Sequence, residues 1–526
     1  MKKNILSIAL ACLICCSCGD FLEEYSQDLV YANSCEDLNE ILIGDGYMKR
    51  GADQEAFYYD ATGQYYPHLH VMDDDAEEFI SGKLKMAGFG SLAERLRNFY
   101  TWGEHPFSAA DGTESLDSDW KRLYKHIGYV NVIISYVDEF KDEPEEIRNK
   151  ILGEAYFLRG WYYYMLVNLY AEPYNKETAS QTMGIPLNVT EYIEDKLFER
   201  TSVEKVYKQI VSDLSSATKC LSGILQPTYY RANEAAAHTL LSRVYLYMER
   251  WEDAIAECDK ALALGCRLRD MNELTSSAPW HNTVDSPEIL FTQGSYFMGC
   301  MMNNRPAQYG FQGGGRYRVS DDLLGVLTKY KEEDIEDLRA TFFLEPSSRY
   351  CPGFFFIRKT PDGNNNKGNA RIYDACLIRS AEIYLNKAEA EAMLDKADSK
   401  TTLKTFMEYR YKDGKYPAVD NLNGQEWIRF IRDERRKELC FEGHRWFDLR
   451  RYAVCSKYPE KKAIVHNVYA SAMANMKPGV YDGSYTLKPY GEDNAWVLPL
   501  PDYEVIFNEG KLENNPSRIN REKNQN

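Results

Sequence analysis

AAAHTLLSRVYLYMERWEDAIAECDKALA, residues 235–263, decides the fold. Counting Ala235 as position 1, Leu241 and Ser242 stand at 7 and 8, Tyr245 at 11, Ala254 at 20 and Ala261 at 27. This is the spacing of a tetratricopeptide repeat, with small residues where two helices touch and Tyr245 packed between them. The chain turns between those helices near Glu249 to Glu252. A single repeat cannot bury its own faces, so neighbours are required. The stretches around 152–221 and 376–410, the latter with Ala388 and Ala390 in AEIYLNKAEAEAML, are the candidates.

The flanking sequence is helical in the same manner. Trp120, Leu123, Tyr124, Ile127, Val130, Asn131 and Ile134 keep three- and four-residue spacing as far as Phe140. Pro144 separates that helix from one carrying LGEAYFLRGWYYYMLVNLY, Leu152 to Tyr170, and Pro173 and Pro186 fence off a loop. Thr201 or Ser202 caps the next amphipathic helix, which runs to about Leu221, and Ser34 caps one beginning at Asp37 to Ile43. The expected class is mainly α: a right-handed tetratricopeptide-like scaffold over about 117–265 and 376–452. Between its halves, residues 270–374 lose helical period and collect glycines, amides and aromatics, the composition of binding loops. Only EILF at 288–291 reads there as a strand, and GGG at 313–315 lacks the GK[ST] of a phosphate loop. The tail, 456–526, reads as loop-rich.

Ile431 to Tyr452, IRDERRKELCFEGHRWFDLRRY, mixes charge with apolar spacing. Ile431, Arg435, Glu438, Leu439 and Glu442 share one helical face, and Gly443 makes a corner before a short helix carrying Trp446, Leu449 and Tyr452. Glu434, Glu438, Glu442, His444 and Asp448 could form a metal or acid/base cluster. Arginines at 432, 435, 436, 445, 450 and 451 favour a buried ion network instead.

Composition narrows the function. A net charge of −17 with no basic stripe disfavours nucleic acid. Forty tyrosines exceed what core filling obviously needs, so some are expected at a binding surface, although tyrosine also packs helical repeats. Lys2 and Lys3, an apolar run from Ile5 to Ile14 and the ending Cys15-Cys16-Ser17-Cys18 predict a signal peptide over 1–17 and lipid on Cys18. Residues 18–33 follow as a polar tether to a single domain, 34–526. The nine cysteines beyond Cys18 lack CxxC pairs and read mostly as small core residues. His68, His70 and the run Asp73 to Asp75 are a weak metal candidate, since i and i+2 histidines suit a strand better than a helical site.

The order of CGDFLEE, WKRLYKHIGYVNVII, EAYFLRGWYYYMLV, the repeat, PEILF, RSAEIYLNKAEAEA, ERRKEL to FDLRR, and WVLPLPDYEV resembles the SusD/RagB family of Bacteroidetes. LKTFMEYRYKDG at 403–414 departs from the family's asparagine-valine-arginine pattern there. The resemblance implies an outer-membrane, cell-surface lipoprotein without cofactor. It would capture glycan fragments and lie over a SusC-like TonB-dependent transporter as its partner; peptide capture, as in RagB-like members, is the alternative. Family chains end in a proline-rich strand and turn, which the resemblance assigns to Trp496 to Pro516. A sugar site needs aromatic platforms with amides and charged donors. Tyr65, Tyr66, Trp102, Tyr296 and Phe297 are the expected platforms, Trp280 a further one, and Asn303, Asn304 and Arg316 the hydroxyl-orienting groups. On this reading Trp102→Ala weakens binding with little change in unfolding. No G-x-S-x-G or HExxH motif points to an enzyme.

Overall fold

Side-chain caps start several of the helices. Ser34 accepts from Asp37 N at 3.2 Å, Ser202 from Lys205 N at 3.4 Å and Asn233 from Ala236 N at 2.9 Å. Such caps contribute about 1 kcal/mol each by satisfying donors that the first turn leaves open. The computed structural model describes residues 32–48, 65–78, 96–108, 118–192, 196–294, 302, 317–346, 353–361, 372–469 and 480–525.

The order begins with α1 (Cys35–Ile41), the short α2 (Leu69–Met72) and β1 (Ala76–Glu78). The long helices α3 (Ser118–Tyr136), α4 (Glu145–Tyr170), α5 (Val203–Cys220), α6 (Glu234–Tyr247) and α7 (Trp251–Ala263) follow. Then come β2 (Ile289–Thr292), β3 (Tyr317–Val319), α8 (Asp321–Leu327), α9 (Leu338–Phe342), β4 (Leu344–Pro346), β5 (Phe355–Ile357) and β6 (Leu377–Arg379). The last part holds α10 (Ser380–Met393), α11 (Asp398–Glu408), α12 (Gly424–Leu439), α13 (Arg445–Val454), β7 (Ile464–Tyr469), β8 (Tyr481–Leu487) and α14 (Asp502–Phe507).

Consecutive helices from α3 to α7 pack in sequence, and α7 then packs on α10, which also meets α11 and α12. The diagnostic repeat is α6 and α7: Ser242, Ala254 and Ala261 are buried where it was expected to be close-packed. Glu249, in the turn between them, takes the left-handed φ of 57°. Glycine sets the spacing of α4 and α5. A Cβ on Gly153 would stand 2.5 Å from Leu221 Cγ, and one on Gly160 would stand 2.9 Å from Leu214 Cγ. Arg159 of α4 joins Asp213 of α5 through contacts of 2.9 and 2.6 Å and Asn131 of α3 at 2.9 Å.

Many tyrosines among the described residues are structural. Tyr162, Tyr163 and Tyr164 are all buried in the main apolar core, which extends over α1, α3 to α7 and the chain's end. A second cluster, with Leu385, Phe406, Trp427 and Ile431, fills the space among α10, α11 and α12. Each fully buried side chain of this size stabilises the fold by about 1.5–3 kcal/mol. Among the described cysteines, Cys35, Cys258, Cys376 and Cys440 are buried, Cys220, Cys266 and Cys455 are half-buried, and all seven are free thiols.

Among the described residues, four antiparallel two-stranded pairs sit beside the helices: β1–β3, β2–β6, β4–β5 and β7–β8. Two expectations change. Leu69–Met72 is a helical turn, so His68 and His70 do not alternate along a strand. The tail carries the β7–β8 hairpin, and the proline-rich close passes through a 3₁₀ turn at Asn494–Trp496 into α14. Pro501 stands just before that helix, where its missing N–H costs no hydrogen bond.

Candidate functional site

The charged block sits inside the molecule. Arg379, at the end of β6, reaches Glu442 at 2.8 Å, Glu288 at 2.9 Å and Glu438 at 2.5 Å, while Arg410 bonds Glu438 at 2.8 Å and Glu288 at 2.5 Å. Lys359 pairs with Glu442, so three carboxylates meet three cations. Beside them Arg339 and Lys437 share Glu434 and Asp337. Next to Glu438 along the same helix, Arg435 bonds Asp448 at 2.8 Å and Asn386 at 2.7 Å, and Arg451 bonds Asp448 and Glu389, each at 2.7 Å.

Burial raises these carboxyl pKa values, but the neighbouring cations win. Arg410 and Arg379 hold Glu438 well below the usual range, and Arg339 and Lys437 hold Glu434 down to about 2. His281, Glu288 and Glu438 place ligand atoms within 4.8 Å of one another, yet a divalent cation there would meet two guanidinium groups already bonded to those carboxylates. Burial, then Arg243 and Arg435, push the His444 imidazole far down, which removes it as a proton carrier near neutral pH. The block is a structural ion network.

The second acidic run has the same character. Asp74 bonds Arg445 through contacts of 2.6 and 2.8 Å, and Asp75 bonds Arg436 at 2.7 Å. His68 stacks on Phe99 at 4.7 Å, and burial lowers His68 to about 4 and His70 to about 3. The His68 Nδ1 stands 3.9 Å from the Asp119 carboxylate.

Three expected platforms are interior. Tyr65 lies under Arg122, 4.1 Å from its ring centre, and its hydroxyl meets His126 Nε2 at 2.9 Å. Tyr66 is fully buried, with φ 53°. Trp102, with φ 49°, stacks on His466 at 4.0 Å and donates from Nε1 to the Met72 carbonyl at 3.0 Å. A sugar ring finds no open face on any of them, because core packing has claimed the same apolar area. Trp102→Ala should therefore cost about 3–5 kcal/mol, as large aromatic truncations in cores do, and lower the melting temperature in a thermal scan. Trp280 is half-buried and is not among the residues lining the pocket formed by Asn282, Ile357, Lys359, Thr360, Asp374, Phe441 and Glu442. Tyr296, Phe297, Asn303, Asn304, Arg316 and Cys18 lie outside the described residues.

Another set of aromatics and polar groups does converge, where β1, β3, β5 and β7 meet. Antiparallel register puts Glu77 opposite Arg318 and Glu78 opposite Tyr317. Arg318 donates to Glu77 at 2.7 Å and Asp321 at 2.6 Å, and its guanidinium stands 4.3 Å from the centre of Phe354. Asn467 donates from Nδ2 to the other Glu77 oxygen at 2.5 Å, and Tyr100 donates to the Asn467 carbonyl at 2.9 Å. Phe354, Phe355 and Tyr469 are half-buried. Tyr481 is 47% exposed and meets Tyr469 edge to face at 6.3 Å. Burial and Glu77 raise the Tyr469 hydroxyl pKa, which keeps it a neutral donor.

This corner offers apolar ring faces bordered by a fixed guanidinium, carboxylates and an amide, the combination that binds C–H faces edged with hydroxyls. The sequence reading missed it because β1, β3 and β5 are three residues long, too short for a period to register. A signal did exist in IVHNVY, where alternation buries Ile464, His466 and Val468 and turns Asn467 and Tyr469 outward.

Comparisons with known proteins agree with the fold. A family profile described as "Starch-binding associating with outer membrane" matches residues 88–246, and one described as "SusD family" matches 303–517. Two SusD-like proteins of Formosa agariphila are 23% identical over 92% of this chain and 96% of theirs, and 22% identical over 86% and 90%. A SusD superfamily structure from Bacteroides thetaiotaomicron superposes with TM-score 0.69 at 20% identity, covering 92% of this chain and all of that one. A "Putative sugar binding protein" from Bacteroides vulgatus gives 0.67 at 23% identity over 93% of this chain and 99% of its own. A "Laminarin binding SusD-like protein" gives 0.62 at 18% identity over 92% and 100%.

Proposed function

The chain belongs to the SusD/RagB family, and from that premise we propose that it is a cell-surface lipoprotein that captures oligosaccharides and passes them to a TonB-dependent outer-membrane transporter. Residues 1–17 direct export, Cys18 carries the lipid, 18–33 form the tether and 34–526 form the binding domain. The protein binds and releases its ligand without breaking a bond.

The observation that carries this reading is the corner of Phe354, Tyr469 and Tyr481 around Arg318, Glu77 and Asn467. Its guanidinium is already neutralised, which suits neutral sugars better than anions. Trp280, Tyr296, Phe297, Asn303, Asn304 and Arg316 remain candidates to extend the site. Similarity in fold to a protein described as laminarin-binding supports the ligand class.

Calorimetric titration of oligosaccharide and peptide pools onto protein lacking residues 1–18 tests the reading. Saturable heat with oligosaccharides alone is expected. Saturation only by peptides would replace it with the peptide-capturing reading, and turnover of a bound oligosaccharide would make the protein an enzyme.

A further inference from the structure

His466 lies between two aromatic rings, nearly parallel to Tyr100 at 4.2 Å and to Trp102 at 4.0 Å, and is 2% exposed. Its Nδ1 is 2.7 Å from the Tyr100 carbonyl oxygen and its Nε2 is 2.7 Å from the Asp73 carbonyl oxygen. A carbonyl only accepts, so each contact requires an N–H on the ring, and a neutral imidazole has one. His126 shows the contrast. Its Nδ1 also meets a carbonyl, that of Asp45 at 2.6 Å, but its Nε2 meets the Tyr65 hydroxyl, which can donate.

The surroundings supply the reason for a second proton. Asp74, Asp75 and Asp322 pair with Arg436, Arg445 and Lys462, and the Asp73 carboxyl, which accepts from the Asp75 N–H at 2.9 Å, stands beside them as a fourth acid to three bases. Aromatic faces on both sides of the ring also favour a cation. We propose that His466 is the fourth cation of this cluster, an imidazolium whose proton positions the candidate binding corner. The proton ties β7 to residues 73–78 and 96–102, and the next residue, Asn467, carries the amide that holds Glu77.

Burial opposes this charge and outweighs the lift from the Tyr100 and Asp73 carbonyls and then Asp74, so that the balance of these effects lowers the imidazole to about 4. The geometry decides, since a neutral ring sets a nitrogen lone pair against a carbonyl lone pair at 2.7 Å. The rival holder of the proton is Asp73, whose carboxyl burial, Asp75 and Asp74 raise. Other charges facing this assembly are Arg521, 5.8 Å from the Trp102 ring centre, and its partner Asp493 at 2.9 Å.

The positioning role rests on the oligosaccharide reading, and the charge state does not. Nitrogen NMR of the histidine-labelled protein at pH 8, with the ring identified by its contacts to Tyr100 and Trp102, should show both His466 nitrogens protonated. Raising the pH until that proton leaves should move the Asn467 side-chain amide signal at the same midpoint and weaken oligosaccharide binding about tenfold, the loss of one hydrogen-bonded constraint. His466→Gln should remove that pH dependence. If no oligosaccharide binds at any pH, the functional reading fails while the Asn467 signal still decides the coupling. A neutral ring at pH 8, or an Asn467 signal indifferent to the ring's proton, overturns the proposal.

Discussion

Arg435→Glu should yield no folded protein. Arg435 is fully buried, donates to Asp448 and Asn386, and stands 3.4 Å from His444. Breaking a buried ion pair by removing one partner costs about 3–5 kcal/mol, because the other charge is left without compensation. Reversal adds a second buried carboxylate beside Asp448, and the sum approaches the whole stability of a typical domain, about 5–15 kcal/mol. Arg435→Met, which keeps the volume and leaves Asp448 to Arg451, should fold with a lowered melting temperature. Circular dichroism with thermal scanning distinguishes the two. A folded Arg435→Glu protein with an unchanged melting temperature and lost ligand binding would restore the block as a place of chemistry.

Acid should destabilise the protein well before the cation-paired Glu434 and Glu438 titrate. Burial lowers His68 to about 4, His70 to about 3 and His126 to about 4, against 6.5 for an open imidazole. As pH falls below 6.5 the unfolded chain takes up protons that the folded rings refuse. Each ring's contribution is therefore complete above pH 6.5 and lost progressively towards pH 4 for His68 and His126 and pH 3 for His70, about 3–5 kcal/mol apiece. Glu434 behaves differently: its folded pKa of about 2 makes its contribution complete above the ordinary 4.5 and lost as the pH falls from there through about 2. The melting temperature should drop by about 5–10 °C between pH 7 and pH 5, from the usual conversion of free energy to melting shift. A flat profile over that range would mean that these three rings are protonated in the folded state too.

The scaffold was legible because helices repeat. Ala235 to Ala261 carry the small-residue spacing that α6 and α7 require, and Ser202 and Ser34 cap where their sequence says. The charge block was legible for another reason: acids and arginines alternate at helical spacing, and only mutual pairing makes such a face buriable. The site was harder. Trp102 and Tyr481 look alike as aromatic residues in irregular sequence, but one is enclosed by His466 and the Met72 carbonyl while the other is open. That difference arises from contacts more than 300 residues apart along the chain, such as Trp102 with His466 and Tyr100 with Asn467. Arg318 and Glu77 become partners only through the register of β1 and β3. No local pattern announces either.

Titration of an oligosaccharide that binds the parent protein onto a Phe354→Ala, Tyr481→Ala double variant, with a thermal scan of the same sample, tests the location of binding most directly. Both side chains are at least partly open to solvent, so the melting temperature should move by no more than a few degrees while affinity falls at least about tenfold, each ring being worth roughly 0.5–1.5 kcal/mol beyond its buried area. Unchanged affinity in a protein that melts normally would place the ligand elsewhere and contradict the account.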